Sequence, residues 1–162
     1  MARVQGGHRL KAMLKKAQAS KPTQIHVGFF KSARYDDDKS TPVAQVASWN
    51  EFGTSKAPSR PFFRNAVKTF KPKLPQILKA HVNAKNPTLD RQTADMIGVL
   101  FTGDIQEEIT KLSSPPNAPL TIALKRKKLG GKHTANKQFA GIETPLIDTG
   151  LMRQSVTHKV VT

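Results

Sequence analysis

The chain has 162 residues, 37% hydrophobic and 6% aromatic, with no cysteine. This suits one domain with a modest core and excludes disulfides, zinc–thiolate sites and cysteine nucleophiles, as in a protein of a reducing cytoplasm. Twenty-seven Lys and Arg against eleven Asp and Glu give a net charge of +16, a self-repulsion that opposes compaction and points to a polyanion or an acidic partner surface.

The first segment, Met1 to Gly7, lacks the apolar stretch of a secretory signal, and nowhere does an apolar run reach the length of a membrane span. From about residue 7 to 19, Leu10, Met13, Leu14 and Ala17 recur at helical spacing among Arg9, Lys11, Lys15 and Lys16, which predicts a basic helix ended by Lys21-Pro22. Ile25, Val27 and Phe29 alternate with His26 and Gly28 and predict a half-buried strand over 24–30. Lys31 to Ser40, with Asp36-Asp37-Asp38, reads as an exposed loop. Thr41-Pro42 then reads as an N-cap with proline at the first helical position, opening a helix that Val43, Val46, Ala47 and Asn50 line and Gly53 stops.

Pro61 opens the next helix, with Phe63, Ala66, Val67 and Phe70 on one face. Pro72 and Pro75 interrupt it, since each lacks an N–H and clashes with the preceding turn, and Ile77, Leu78 and Val82 resume it. A long helix is expected from Asn86-Pro87-Thr88 to about Lys111, with Leu89, Thr93, Ile97, Phe101, Ile105 and Ile109 in one row; Gly98 and Gly103 each weaken it by about 1 kcal/mol relative to alanine. Ser113 to Asn117 stops it. Ala118 to Lys128 reads as a short basic helix, followed by a loop through Gly130-Gly131 to Glu143. Residues 155–161 read as a second strand. No repeat or domain boundary is legible, so residues 1–162 read as one domain, with a mobile basic loop over about 125–144.

Candidate chemistry is sparse. Asp36-Asp37-Asp38 could offer oxygens to a hard cation, but consecutive side chains on an extended loop point in alternate directions, which favours a solvated loop. A nuclease site joining them to Glu51 and Asp148 competes with better structural uses for both residues. The five histidines, His8, His26, His81, His133 and His158, share no ligand spacing; His26 and His158 fall on the two predicted strands, where they could pair across the sheet. No serine sits in a G-x-S-x-G elbow, no phosphate-binding glycine loop is present, and one Trp49 and one Tyr35 make no ladder for stacking bases. No metal or cofactor site is expected. The strongest polyanion signal is Lys125-Arg126-Lys127-Lys128 with Lys132, readable as a contact to DNA phosphates or an acidic partner, or as a solvated tether.

Three segments stand out together: Val43 to Thr54, ending Asn50-Glu51-Phe52-Gly53-Thr54; Ala57-Pro58-Ser59-Arg60-Pro61-Phe62-Phe63-Arg64; and Pro116 to Thr121, followed by Pro145-Leu146-Ile147-Asp148-Thr149-Gly150-Leu151-Met152-Arg153-Gln154-Ser155-Val156. In this order and spacing they resemble the neck or tail-completion family of tailed bacteriophages, over roughly residues 23–70 and 105–160. Each motif is short, and their succession gives the resemblance its specificity. Members often carry further strands after the last motif, whereas this sequence ends at Thr162, so a sheet that is smaller or completed differently is expected. As read here the motifs are structural. Phe52 would anchor a helix end in the core and Gly53 supply a left-handed turn. Arg60-Pro61-Phe62 would fix entry to the next helix, with Arg60 paired to Glu51. Asp148-Thr149-Gly150 would form a capped turn.

The expectation is therefore an α+β domain, a small antiparallel sheet packed against the long helix of about 88–111 and the helix of about 61–70. The resemblance implies a non-enzymatic virion protein, assembled in the bacterial cytoplasm. It implies a homo-oligomeric ring, most commonly a hexamer, that joins or seals head to tail. Its neighbours would be head connector or adaptor proteins, tail terminator or tail tube proteins, and packaged DNA. The competing reading, from charge alone, is a sequence-independent DNA-binding protein. A two-stranded pair is marginal alone, so an extended segment of a neighbour, from 31–40 or 129–143, is expected along its open edge.

Overall fold

A computed structural model of the chain describes residues 11, 12, 15, 23–30, 33–35, 41–81, 89–128, 144–147 and 150–161. It shows an α+β fold. Strand β1 (Gln24–Phe29) is followed by helices α1 (Val43–Phe52), α2 (Phe62–Phe70), α3 (Leu74–His81), α4 (Arg91–Lys111) and α5 (Pro119–Lys128), a helical turn α6 (Leu151–Gln154), and strand β2 (Val156–Val161). Lys11, Ala12 and Lys15 are helical and exposed; the rest of the expected N-terminal helix lies outside the described residues.

The first and last strands pair antiparallel, with Ile25 opposite Val160, Val27 opposite His158 and Phe29 opposite Val156. Opposed residues share a face, so these six form the inner face and pack on α4. His26 and His158 therefore stand on opposite faces and do not pair: His26 is exposed and faces Lys159 in the register, while His158 turns inward.

Helix α4 is the centre of the fold. Its row Thr93, Ile97, Ile105 and Ile109 is buried, with Phe101 half-buried between them, because residues four apart stack on one face. The helix begins later than Asn86-Pro87-Thr88 suggests. Asp90 is the N-cap, accepting a hydrogen bond from the Thr93 N–H at 2.7 Å, and this bond holds its carboxyl below the usual aspartate range.

A chain of rings ties β1 to α2 and α4. Phe29 meets Phe62 edge-on at 6.2 Å, Phe62 meets Phe63, Phe63 meets Phe101 at 6.0 Å, and Phe101 stacks on Phe70 at 4.8 Å. Such pairs contribute roughly 0.5–1.5 kcal/mol each beyond burial. The buried row of α2 is Phe62, Ala66 and Phe70, one step around from the expected stripe, so Phe63 is half-buried and Val67 exposed. Pro72 falls in the turn that ends α2, and Pro75 sits in the first turn of α3, where a missing N–H costs no bond. An ion pair of 2.7 Å from Lys73 to Asp104 joins this corner to α4.

Residues 33–35 fold back on the start of α1: Arg34 bridges Pro42, and the Val43 N–H donates to the Ala33 carbonyl at 3.0 Å. Pro42 itself occupies the N-cap position, with no side-chain cap, so the expected Thr41 cap with Pro42 inside the helix is shifted by one residue. The remainder of 31–40, including Asp36-Asp37-Asp38, lies outside the described residues, as does 129–143; the expectation of a strand-like contact from either segment falls there.

Candidate functional site

Helix α1 turns Val43, Ala47 and Glu51 into the protein, an i, i+4, i+8 row whose last member is an acid. Glu51 has a use there. Helix α2 starts behind Pro61, which offers no side-chain acceptor to the first amides, and the Glu51 carboxylate supplies one from the preceding helix. It accepts from the Phe63 N–H at 2.8 Å, the Arg64 N–H at 3.2 Å and the Arg64 Nε–H at 2.7 Å. A carboxylate at a helix N-terminus also meets the favourable end of the helix dipole. Arg64 then donates to the Glu51 carbonyl at 2.9 Å and to Ser59 Oγ, and Ser59 Oγ–H donates to the same carbonyl at 2.7 Å.

Two expectations are corrected here. The partner of Glu51 is Arg64 rather than Arg60. Phe52 is no core anchor: it is 69% exposed, and the Arg64 guanidinium lies 5.5 Å from its ring centroid. The physical reason is rotation. With Glu51 buried at the end of the row, the next residue is carried about 100° around the helix, to the side where Trp49 is also exposed. Phe62, by contrast, is fully enclosed.

Gly53 ends α1 with φ 80, its N–H donating to the Trp49 carbonyl. A Cβ there would stand 2.8 Å from the Ser59 nitrogen, so both the left-handed backbone and the packing require glycine. The Thr54 hydroxyl closes the turn by accepting from the Lys56 and Ala57 N–H groups.

Arg60 is buried and reaches forward to the segment after α4. Its Nε–H donates to the Pro115 carbonyl and a terminal N–H to the Pro116 carbonyl, both at 3.0 Å. Its backbone N–H donates to the Asn50 carbonyl at 2.7 Å. Desolvation pushes the guanidinium pKa down from its ordinary value, though an arginine keeps its proton. One residue thus clamps the first two motif segments to the third, its backbone holding the first and its side chain the third.

Lys125 completes the junction. Its ammonium donates to the Thr144 carbonyl at 3.3 Å and the Ile147 carbonyl at 2.6 Å, so it holds α5 against the last motif. This structural use is one that the sequence does not announce. Arg126 and Lys127 are exposed; the side chain of Lys128, together with Lys132, Asp148 and Thr149, lies outside the described residues. Gly150 is left-handed at φ 79 and caps the turn α6.

All three motif segments meet at a cleft of about 720 Å³. Asn50, Pro58 and Arg60 line it from one side, Pro116, Asn117, Ala118 and Thr121 with Leu124 and Lys125 from another, and Pro145, Leu146 and Gly150 to Met152 complete it, with Lys56. Its polar side chains are the amides of Asn50 and Asn117, the hydroxyls of Tyr35 and Thr121, and the cations Lys56, Arg60 and Lys125; Arg60 and Lys125 are bound to backbone carbonyls and fix segments relative to one another. Among the described residues no cluster of three His, Asp or Glu could hold a metal ion, and no helix is long and apolar enough to cross a membrane.

Comparison with family models, curated proteins and solved structures returns no match to this chain.

Of the motif residues, Arg60 and Gly150 line this cleft; Glu51, Phe52 and Phe62 line a separate hollow with Arg64, beside β1. Sequence reading misses the parts of Arg64 and Ser59 in holding Glu51 and of Lys125 in tethering α5. A cue for the first is available: a helix opened by Pro61 without its own cap needs an acceptor from elsewhere, and Glu51 is the nearest acid.

Proposed function

We propose that the protein is a structural component of a tailed phage's head–tail junction, acting as a ring of identical subunits that joins or seals head and tail and carrying out no catalysis. The observation that carries this reading is the convergence of the three family-like segments on one junction, through Arg60 on the Pro115 and Pro116 carbonyls and Lys125 on the Thr144 and Ile147 carbonyls. Motifs spread over a hundred residues of sequence are here parts of one scaffold, and the bonds of Arg60 and Lys125 to backbone carbonyls support a structural role for it. Its neighbours in the particle are head connector or adaptor proteins and tail terminator or tail tube proteins, with packaged DNA close by, and the ring is a hexamer in this reading. The genetic test is loss of the chain from a phage that encodes it. Filled heads and finished tails should accumulate unjoined and be rescued by the purified protein; normal infectious virions without it would overturn the reading.

Arg126 and Lys127 are exposed on a helix without acids, which favours a second reading, sequence-independent DNA binding. There, affinity for any duplex would fall steeply with salt, and virion assembly would proceed in the chain's absence.

A further inference from the structure

Helix α5 is built inside out. Leu120, Ala123, Leu124 and Lys127 fall at i, i+3, i+4 and i+7, the spacing that normally turns a stripe into a core. All four are exposed, Leu120 by 72% and Leu124 by 58%. The helix holds itself to the protein by the opposite side, through half-buried Ile122 and the Lys125 tether to the Thr144 and Ile147 carbonyls. Leu124 edges the cleft yet stays largely exposed, and among the described residues the rest of the apolar stripe is left over after folding.

The charge on the helix says what the stripe suits. Its sequence carries Lys125, Arg126, Lys127 and Lys128 and no acid. Lys127 lies on the stripe itself, whereas Arg126, four residues after Ile122, stands about 160° around the helix from Leu124. A second copy of this chain, itself at +16, brings the wrong sign. A phosphate backbone has the right sign but gives the two leucines nothing to enter. Two leucines on three turns are also too little apolar surface for stable anchoring in a lipid bilayer. Apolar anchors at i and i+4 flanked by a cation fit a protein groove, apolar along its floor and acidic along its rim.

We propose that α5 is a docking helix, inserted through Leu120 and Leu124 into an acid-rimmed apolar groove of a different protein, with Lys127 on the rim. The inference does not depend on ring formation, since each copy carries a complete stripe.

The test uses the full chain and a designed helical hairpin whose groove is lined by leucines and rimmed by glutamates, read by fluorescence anisotropy. A control hairpin keeps the glutamates and replaces the groove leucines with serine; duplex DNA and phosphatidylglycerol vesicles are further arms. The wild type should bind the apolar hairpin at least about tenfold more tightly than the control, and Leu120→Gln with Leu124→Gln should abolish that preference. The same variant should bind duplex DNA as the wild type does. Because both leucines are exposed, an unchanged thermal melt certifies the fold; Leu120→Ala with Leu124→Ala, which keeps helix propensity, serves if the glutamines disturb it. Equal binding of the two hairpins, no binding of either, or a leucine-dependent preference for vesicles would overturn the proposal.

Discussion

The imidazole of His158 lies directly over Gly98 of α4: a Cβ on that glycine would stand 2.7 Å from the ring's Cγ. The glycine in the middle of the central helix is thus the seat of an inward-facing strand histidine, whose Nε2 lies 3.7 Å from Asp95 Oδ1. Helix propensity alone favours Gly98→Ala by about 1 kcal/mol. The seat reverses the sign, because displacing a packed ring costs about 1–3 kcal/mol. Denaturant unfolding should show Gly98→Ala less stable than wild type. In a double-mutant cycle with His158→Ala the penalty should largely vanish. Additive losses would disprove the contact.

Glu51 caps a helix to which it does not belong. Arg64 is 59% exposed, so the ion pair by itself contributes little, and the larger part comes from the two N–H groups of α2 that would lose their acceptor. Glu51→Ala is expected to cost about 2–3 kcal/mol and Glu51→Gln, which keeps an acceptor oxygen, about 1 kcal/mol. If Glu51→Ala unfolds at the wild-type denaturant concentration, the cap has no energetic role.

Phe52 and Phe62, one from each of the first two motifs, separate. Phe62→Ala empties an enclosed site and should cost about 3–5 kcal/mol. Phe52→Ala removes an exposed ring and should change stability by no more than about 0.5 kcal/mol. Equal losses for the two would restore Phe52 to the core.

Much of this fold is legible in the sequence, and what is hidden has specific causes. The alternation Ile25, Val27, Phe29 and the four-residue row of α4 each identify an element, since each is a periodicity of one element against one core. The partners of Arg60 and Lys125 are backbone carbonyls 55 residues ahead and about 20 residues ahead, and a carbonyl carries no sequence signature. Phe52 misleads because hydrophobicity implies burial more weakly than position in the row does. In α1 the row Val43, Ala47, Glu51 puts the acid inside and the aromatic out. The same blindness covers α5, where a core-like stripe faces solvent.

Within the basic helix the lysines are not equivalent. Lys125→Met removes the ammonium that the Ile147 carbonyl accepts from, and one of the two donors to the Thr144 carbonyl, and should cost about 1–3 kcal/mol. Arg126→Ser with Lys127→Ser should leave the melting temperature within about 2 °C, since neither side chain is buried. Calorimetry on the two variants separates tether from surface charge; a larger loss for the double variant would contradict the assignment.

Acid should loosen the start of α4. The carboxyl of Asp90 titrates below its ordinary value because it accepts the Thr93 N–H. A depressed folded-state pKa adds stability that is present above the unfolded value, near pH 4, and is lost as pH falls through the lower folded value. Asn at this position caps without titrating. Asp90→Asn should therefore remove part of the stability loss below about pH 4 while leaving neutral-pH stability nearly intact. An unchanged acid profile would show that the cap does not contribute to it.

The claim of a head–tail ring is tested most directly by the mass of the purified full-length protein alone and after mixing with isolated phage tail tubes. The account expects subunits added to the tube in a fixed multiple, six for a hexameric ring, seated at one end. A chain that stays the same size with tubes present, and gains mass only with duplex DNA, would contradict it.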